Sequence, residues 1–516
     1  MTLIRLDGRS LRLEDLAPIA RGESVTLQLA DEARAGIRAA RRVVEEHVAA
    51  GDVVYGLTTG FGKLKSVAIA KADLETLQRN LVLSHCCGLG EPLSREEVRI
   101  MQVLRLNGIV RGHSGVRLEL IEALIAAFNA RFVPVVPSQG SVGASGDLAP
   151  LAHLAAAYLG FGQADVPDAS GTWERLPARE ALERLRLEPL VLQAKEGLAL
   201  INGTECMKAT GAICVLRARN LSKAADAIAS LSLEALFGSV KPFDERLADL
   251  KGHAGHRRTA ANVRRLLEGS AVLASHADCT RVQDPYSLRC VPQIHGAVKE
   301  ALAHVDRVLA GELNAVTDNP ILFPDTGEVV SAGQFHGQPV SMILDYLAIA
   351  LATLANVSER RVEQLVNPEL SRLPAFLSPK PGLNSGFMIA QVAAAALASE
   401  NKVHAHPASV DTVPTSANQE DHVSMGVTAA RKALRVVENV EKVLAIELVC
   451  AAMGREFHRE LEAGPGPTAA YAALREVVTP MNEDRYLHDD LVAADELVRS
   501  GRLVERVEAA VGALEA

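Results

Sequence analysis

The longest helical pattern in the chain lies between about Val423 and Phe457. Apolar residues recur there at spacings of three, four and seven, the period expected of an α-helix with one buried face. A helix of about 35 residues spans roughly 50 Å, so this element predicts a mainly α-helical fold built as an elongated bundle of long helices. The apolar positions are Ala430, Ala433, Leu434, Val437, Val440, Leu444 and Ala451.

The composition agrees with closely packed helices. Apolar residues make up 48% of the 516 residues and aromatic residues only 3%, so alanine, leucine and valine have to fill the core. A charged fraction of 23% indicates a packed globular protein and not a disordered one. The length exceeds one ordinary domain, and we predict a smaller N-terminal domain over residues 1–200, followed by the long-helix bundle and C-terminal helices over residues 201–516.

Several classes of protein are disfavoured. The net charge of −9 and the pI near 6.0 argue against a dedicated nucleic-acid surface. The seven cysteines are scattered, which is typical of reduced thiols in a cytosolic protein. The first residues lack the apolar segment of a secretory signal, and the run VSMILDYLAIALATLANV is interrupted by Asp345, which favours a buried helix over a membrane span. We therefore expect a soluble, cytoplasmic protein without nucleic-acid or membrane partners.

Local signals predict several elements outside the bundle. The first 25 residues contain short apolar runs, which predict a small strand or hairpin, and a helix is expected over residues 31–50 with Gly51 as its C-terminal cap. Residues 52–64 contain three glycines and predict a mobile loop that carries Tyr55. The polar, turn-rich residues 160–190 predict an exposed segment on the surface of a domain and not a domain boundary.

Common catalytic motifs are missing from the sequence. It has no phosphate-binding loop, no H-E-x-x-H zinc motif and no G-x-S-x-G nucleophile elbow. Glu420, Asp421 and His422 are adjacent in sequence, so on a helix their side chains point in different directions and do not share one ion. We expect no metal site.

The segment GSVGASGDLAPLAH, residues 140–153, gathers small residues around Ser145. One interpretation is a helix start in which Ser145 or Asp147 caps the first turn. The other is chemical: if the Gly146 nitrogen attacks the carbonyl carbon of Ala144, the backbone closes into a five-membered ring and releases water. Loss of a second water from the Ser145 side chain then leaves an electrophilic exocyclic methylidene. Small residues allow the close backbone approach that this cyclisation needs.

Six polar clusters interrupt the otherwise apolar sequence, and they are Ser84-His85, INGTE (201–205), RVQDPYSLRC (281–290), NAVTDNP (314–320), GQFHGQP (333–339) and SANQEDHVSMG (416–426). Each has a structural interpretation, such as a turn at Asn202, a surface ion pair at Arg289 or a helix cap at Asn418-Gln419. Together they could bind an amino acid, because Arg289 offers a planar fork for a carboxylate. Groups for proton transfer are Tyr55, Tyr286 and Glu420, and neutral hydrogen-bonding groups are Asn202, Gln283 and Gln419.

With these blocks in this order, the sequence resembles the aromatic amino acid ammonia-lyases from about Val53 to Gly454. That family carries a 4-methylidene-imidazol-5-one (MIO) group formed from Ala-Ser-Gly. The resemblance implies the helical fumarase/aspartase-like superfamily architecture with a smaller N-terminal active-site domain, and no external cofactor. It also implies a homotetramer with composite active sites, in which the tyrosine loop and the ring come from different chains.

The resemblance assigns roles to individual residues. Ala144, Ser145 and Gly146 are expected to form the MIO group. Tyr55 is expected to act as the base on the β-proton of the substrate, and Arg289 to bind the substrate carboxylate. The residues implied around the substrate and the ring are Asn202, Gln283, Tyr286 and Phe335.

Substrate selectivity is implied by Ser84-His85. Together with Glu420, this pair resembles the histidine-specific branch of the family. An imidazole presents one donor and one acceptor, and a buried His85 can pair with one of them. Glu420 could hold either the other ring nitrogen or the leaving amine. The implied reaction is the elimination of ammonia from L-histidine to give trans-urocanate.

Four features depart from the family pattern. Gln334 stands where asparagine is common, Glu205 where an uncharged residue is common, and Cys86-Cys87 where small residues are common. The segment GHAGH (252–256) replaces a proline-containing one. Because Glu205 and Cys86 neighbour predicted pocket residues, they are candidates for tuning pH dependence or substrate fit.

Two alternatives remain open from the sequence. The first is another MIO enzyme, a tyrosine or phenylalanine ammonia-lyase or an aminomutase, which Ser84-His85 and Glu420 disfavour. The second is a catalytically inactive helical scaffold, which the joint presence of Tyr55, Ser145, Arg289 and Glu420 disfavours.

Overall fold

The computed structural model describes residues 2–60, 62–277 and 282–516. Within this part of the chain the backbone is mainly α-helical, and the strands are two to five residues long. The six cysteines in the described residues are free thiols, in agreement with the sequence analysis. Cys279, also predicted to be a free thiol, and Arg281, the first residue of one polar cluster, lie outside the described residues.

The chain forms two compact units. The first unit comprises Met1–Ile213, Arg307–Leu344 and Pro407–Arg431, and the remaining residues form the second unit. The sequence predicts a boundary at residue 200 instead, with the long-helix bundle and the C-terminal helices after it. The difference arises because two later segments return to the first unit, and a division by chain order cannot detect such returns.

The first unit contains the strands and the shorter helices of the N-terminal half. Its helices are Leu13–Ala20, Ala33–Ala50, Leu74–His85, Arg95–Val110, Leu118–Asn129, Leu148–Tyr158, Ala178–Arg184 and Glu196–Ile201, with single 3-10 turns at Gly62–Leu64, Lys71–Asp73 and Ser416–Asn418. The strand pairs are Thr2–Leu6 with Val25–Leu29, Leu89–Pro92 with Pro137–Gln139, and Ile321–Phe323 with Glu328–Val330. A three-stranded sheet contains Val133–Pro134, Gln163–Pro167 and Trp173–Pro177.

The N-terminal segment confirms the predicted strand structure but not its hairpin alternative. Thr2–Leu6 and Val25–Leu29 pair in parallel, with helix Leu13–Ala20 between them in sequence, so they do not form a hairpin. The next helix, Ala33–Ala50, ends as predicted at Gly51, whose φ of 75° lets its N–H bond the carbonyl of His47.

Four long helices begin in one unit and end in the other, and they are Glu205–Ala235, Val291–Glu312, Gln338–Val366 and Gly426–Glu456. The last confirms the long helix predicted from the apolar period over residues 423–457. The second unit further contains the helices Glu245–Lys251, Ala254–Leu266, Ala271–Ala274, Tyr286–Arg289, Pro368–Ser371, Met388–His404, Pro465–Arg475, Leu487–Arg499 and Arg502–Val511, with 3-10 turns at Lys241–Phe243 and Ala375–Leu377.

Helix Gln338–Val366 contains the run that most resembles a membrane span. Among the described residues it is the one helix long and apolar enough to cross a bilayer, and 67% of its apolar window is buried within the protein. Asp345 is 3% exposed and lies 3.4 Å from the Lys432 ammonium. This burial is typical of a core helix, as the sequence predicts.

Helix Arg95–Val110 forms the centre of the first unit. Every residue from Glu97 to Val110 is buried, so the helix has no solvent-facing side. Its polar residues therefore need partners inside the protein. One of them, Arg105, reaches the segment behind the cavity described below.

Candidate active site

The first unit contains a cavity of about 760 Å³. Its lining includes residues from six separate parts of the chain, which the fold brings together although Val53 and Glu420 are 367 positions apart. Of the predicted site residues, those that line it are Tyr55, His85, Ser145, Asn202, Phe335, Gln419 and Glu420. Ala144 and Gly146 adjoin Ser145 in the chain, so the predicted ring-forming tripeptide lies at the cavity wall.

The backbone at residues 144–146 forms a tight turn. Ser145 has a φ of 49° and Gly146 a φ of 76°, both in the left-handed region. A Cβ atom on residue 146 would lie 2.0 Å from the carbonyl oxygen of Gly203, so only glycine fits there. The turn therefore needs its small residues for packing as well as for any chemistry.

The structure corrects the helix-cap interpretation of this turn. Helix Leu148–Tyr158 does begin directly after Asp147, but neither predicted side chain caps it. The Asp147 carboxylate accepts the backbone N–H of Met207 at 2.9 Å. The Ser145 hydroxyl donates instead to Oε1 of Glu420 at 3.0 Å.

The segment Asn202–Gly203 holds the turn from behind. The side-chain amide of Asn202 donates to the carbonyl oxygen of Ser145 at 2.9 Å. The N–H of Asp147 donates to the carbonyl of Gly203 at 2.6 Å. These two bonds fix the backbone on either side of Gly146.

Asp147 is fully buried in this arrangement. Burial raises the pKa of its carboxyl group to about 7, and the nearby Glu205 carboxylate adds to the increase. The N–H groups of Met207 and Cys206 oppose it by hydrogen bonding to the charged form.

Glu420 is fixed by its own loop. Its Oε2 accepts hydrogen bonds from the hydroxyls of Thr415, at 2.8 Å, and Ser416, at 2.5 Å. This leaves Oε1 directed at Ser145. Residues 416–418 have φ values of 50°, 52° and 67°, and such a run of left-handed residues without glycine is uncommon. The loop is thus held in a costly conformation that aims a carboxylate at the serine.

His85 ends helix Leu74–His85 at the cavity wall. Its Nδ1 lies 2.8 Å from the carbonyl oxygen of Leu81 and 3.1 Å from the Ser84 hydroxyl. Because the carbonyl can only accept, this bond requires the proton on Nδ1 and leaves Nε2 as an acceptor in the neutral ring.

Tyr55 lies on the glycine-rich loop, at the same cavity. Burial raises the pKa of its phenol, the Glu420 carboxylate raises it further, and a hydrogen bond from the Gly62 backbone opposes both. Tyr55 and Ser145 line one cavity of a single chain. The expectation that the tyrosine loop and the ring-forming tripeptide come from different chains is therefore wrong.

Two of the lining residues that were not assigned a role from the sequence, Lys65 and Asn319, make hydrogen bonds at the cavity. Lys65 donates from Nζ to Oε1 of Gln419 at 2.8 Å, which ties the Tyr55 loop to the Glu420 loop. Asn319 accepts the N–H of Ala332 at 2.7 Å. Asn319 belongs to the NAVTDNP cluster, so the sequence contained a signal for it. Nothing in the sequence distinguishes Lys65 from other surface lysines.

Three predicted residues belong to the second unit. Gln283, Tyr286 and Arg289 lie at or beside the short helix Tyr286–Arg289, and every residue that lines the cavity belongs to the first unit. The Arg289 guanidinium carbon is 4.7 Å from the centre of the Tyr286 ring. Tyr286 is 69% exposed. None of the three therefore lines the cavity of its own chain.

The buried Asp147 makes stability depend on pH. Its pKa rises from 3.8 to about 7 on folding, so its contribution to stability is fully present below the lower value and is lost as the pH rises through the higher one. Asp147→Asn retains an oxygen that can accept the Met207 N–H but cannot ionise. Between about pH 5 and pH 8 we expect its melting temperature to fall less than that of the wild type. Parallel melting profiles for the two proteins would show that Asp147 does not titrate in this range.

Comparison with known proteins identifies relatives over nearly the whole chain. The family model described as aromatic amino acid lyase matches residues 11–476. A histidine ammonia-lyase from Myxococcus xanthus is 50% identical over 508 residues, which cover 98% of this chain and 99% of that protein.

Solved structures have the same fold. The structure of histidine ammonia-lyase from Trypanosoma cruzi matches with a TM-score of 0.91 at 44% identity, over 99% of this chain and 96% of that one. Tyrosine aminomutase from Streptomyces globisporus matches with a TM-score of 0.93 at 34% identity, over the full length of both chains. The predicted fold class, mainly α with fumarase/aspartase-like architecture, is confirmed. The chain belongs to the aromatic amino acid lyase family.

Proposed function

We propose that this protein eliminates ammonia from L-histidine to give trans-urocanate, as a cytoplasmic homotetramer whose electrophile is an MIO group formed from Ala144, Ser145 and Gly146. The observation that carries the proposal is the meeting of Ser145, His85 and Glu420 at one cavity. The names of the similar histidine ammonia-lyases support the choice of substrate.

The turn at residues 144–146 fits the formation of such a ring. Gly146 is pressed against Gly203, and Asn202 holds the Ser145 carbonyl, so the tripeptide has little freedom to extend. The Ser145 hydroxyl, which has to leave as water, donates to the Glu420 carboxylate. Once formed, the group supplies an electrophilic alkene at the cavity wall.

Two side chains of the cavity suit an imidazole substrate. With its proton on Nδ1, His85 offers Nε2 as an acceptor for a substrate ring N–H. Glu420 offers a carboxylate for the other ring nitrogen in its protonated form, or for the leaving amine. A phenyl or phenol ring would leave these polar groups without partners, which is costly in a buried site.

Tyr55 is the proposed base for the β-proton of the substrate. The raised pKa of Tyr55 opposes this role, because a phenol has to lose its proton before it can accept one. A bound substrate brings its own ammonium group, and a positive charge close to Tyr55 lowers the pKa of the phenol. The bound substrate would thus favour the deprotonated form of Tyr55, the form that can accept the β-proton.

The substrate carboxylate is assigned to Arg289, with Gln283 and Tyr286 beside it. We place these residues at the cavity of another copy of the chain in the tetramer. The exposure of Tyr286 leaves this cluster available to a neighbouring copy, and a guanidinium binds a carboxylate through two parallel hydrogen bonds. Each active site would then be complete only in the assembled protein.

The Ser145→Ala variant tests the electrophile. Alanine has no hydroxyl to lose, so we expect the variant to fold and assemble normally but to lose activity by several orders of magnitude. In the wild type, mass spectrometry of the peptide that contains residues 144–146 should show the loss of two waters. Active wild-type enzyme with an intact, unmodified tripeptide would contradict the proposed electrophile.

Mixed oligomers test the origin of Arg289. Ser145→Ala and Arg289→Met are each expected to be inactive alone. Subunit exchange between them should create sites that combine an intact Ser145 from one chain with an intact Arg289 from another. Part of the activity should then return. Tyr55→Phe mixed with Ser145→Ala is the matched control. Because Tyr55 and Ser145 line the cavity of one chain, each site in that mixture has a defect and no activity should return. Equal rescue in both mixtures, or an active monomer by light scattering, would contradict the composite site.

The His85→Phe variant tests the basis of substrate selectivity. Unpaired polar groups in a pocket can discriminate against an analogue by roughly 10⁴-fold or more, so wild-type turnover of phenylalanine should be very low. We expect His85→Phe to lose most histidine turnover, and any gain with phenylalanine to be limited by the charge of Glu420. Steady-state kinetics of both proteins on both amino acids decide the matter. Unchanged histidine turnover in the variant would refute the role of His85 and leave the lyase activity intact.

A further inference from the structure

A group of buried charged residues lies behind the ring-forming turn. Arg105, from the central helix of the first unit, and Glu205, from the start of helix Glu205–Ala235, approach each other to 3.3 Å. Arg105 is 2% exposed and Glu205 is completely buried. Nothing in the chemistry proposed above uses either charge, so their presence in the core needs another explanation.

The two residues contact the segment that holds the turn. Nη1 of Arg105 donates to the carbonyl oxygen of Asn202 at 2.6 Å. The same Asn202 donates from its side chain to the carbonyl of Ser145. Arg105 is thus linked to the peptide that is to cyclise through hydrogen bonds to a single residue, Asn202.

Glycine packing shows how tight this arrangement is. A Cβ atom on Gly203 would lie 2.2 Å from Oε2 of Glu205 and 2.5 Å from Nη1 of Arg105. On the other side of the segment, a Cβ atom added to Gly146 would lie 2.0 Å from the carbonyl oxygen of Gly203. Segment 202–203 is therefore held between the ion pair and the turn, and it has no room to retreat from either.

The ion pair is itself anchored. Oε1 of Glu205 accepts a hydrogen bond from the hydroxyl of Thr317 at 2.9 Å and one from Nζ of Lys208 at 3.2 Å. Burial raises the pKa of Glu205, but the charges of Arg105 and Lys208 and the Thr317 hydrogen bond outweigh it and hold the pKa below its usual value. The carboxylate thus stays charged and keeps Arg105 in position.

We propose that Arg105 and Glu205 are positioning residues for ring closure, because they press segment 202–203 against the turn at residues 144–146. This inference rests on the proposed function. Ring closure forms the bond from the Gly146 nitrogen to the Ala144 carbonyl carbon and expels that oxygen as water, and the Ser145 hydroxyl leaves as the second water with its Cα proton. A turn held in one compact conformation reaches this bond-forming geometry more often than a turn that can relax.

Lys208 provides a matched control. It bonds the same Glu205 carboxylate and the carbonyl of Glu312, but has no contact with Asn202 or Gly203 among its hydrogen bonds. Lys208→Met therefore removes one buried charge from the same group, as Arg105→Met does, without removing the bond to segment 202–203.

The test measures ring formation by mass and not by activity. The full-length wild type, Arg105→Met and Lys208→Met are each sampled at intervals after synthesis, and the fraction of the 144–146 peptide that has lost two waters is determined. Circular dichroism and light scattering verify that each variant is folded and assembled. We expect Arg105→Met to form the ring at least tenfold more slowly than the wild type, and Lys208→Met to slow it far less, because Arg105 and Thr317 still hold the Glu205 carboxylate.

Arg105→Lys is the second variant, in case Arg105→Met does not fold. It keeps a positive charge, but a lysine side chain ends one bond short of Nη1, the Arg105 atom that contacts both Asn202 and Glu205, so ring formation should again be slow. Wild-type rates in the folded Arg105 variants, or equal slowing in Lys208→Met, would overturn the inference. A wild-type peptide that keeps both waters would instead refute the electrophile of the proposed function.

Discussion

The contact between the Gly203 carbonyl and the backbone of residues 146–147 is the constraint on which the rest of the site depends. The carbonyl accepts the N–H of Asp147 at 2.6 Å and leaves no space for a side chain on residue 146. With Asn202 bonded to the Ser145 carbonyl, it keeps a serine in the left-handed region, which costs free energy for a residue other than glycine. The small residues around Ser145 are thus a packing requirement before they are a chemical one.

Buried charges surround this contact, although charged side chains are rarely fully buried unless paired. Besides Arg105 and Glu205, the fully buried Lys195 bonds Asp318 at 2.6 Å. Asp318 in turn accepts the N–H of Asn319, which lines the cavity. Loss of one partner from such a buried pair destabilises a protein by about 3–5 kcal/mol. The residues that position the cavity wall therefore also contribute to the stability of the first unit.

Much of the candidate site could be predicted because its signals are local. Glycines and a serine in an apolar context, and polar clusters such as Ser84-His85 and residues 416–426, are visible in the sequence without knowledge of the fold. The helix Gly426–Glu456 was predictable for the same reason, since the period of its apolar residues is a local property.

The remainder depends on contacts between distant parts of the chain. The return of residues 307–344 and 407–431 to the first unit and the bond between Lys65 and Gln419 have no local signal. Short apolar runs also do not specify the direction of a strand partner, so the parallel N-terminal pair was not foreseen. From the sequence, Glu205 was a departure from the family pattern and a candidate for tuning pH dependence or substrate fit, and its ion pair with Arg105 became visible only in three dimensions.

The most direct test is to supply the purified full-length wild type separately with L-histidine, L-tyrosine and L-phenylalanine, and to follow the ultraviolet absorbance of the conjugated acid together with the ammonia released. We expect urocanate and ammonia in equal amounts from L-histidine, and rates roughly 10⁴-fold lower from the other two amino acids. A faster reaction with tyrosine or phenylalanine, a β-amino acid product, or no release of ammonia from any of the three would contradict the proposed activity.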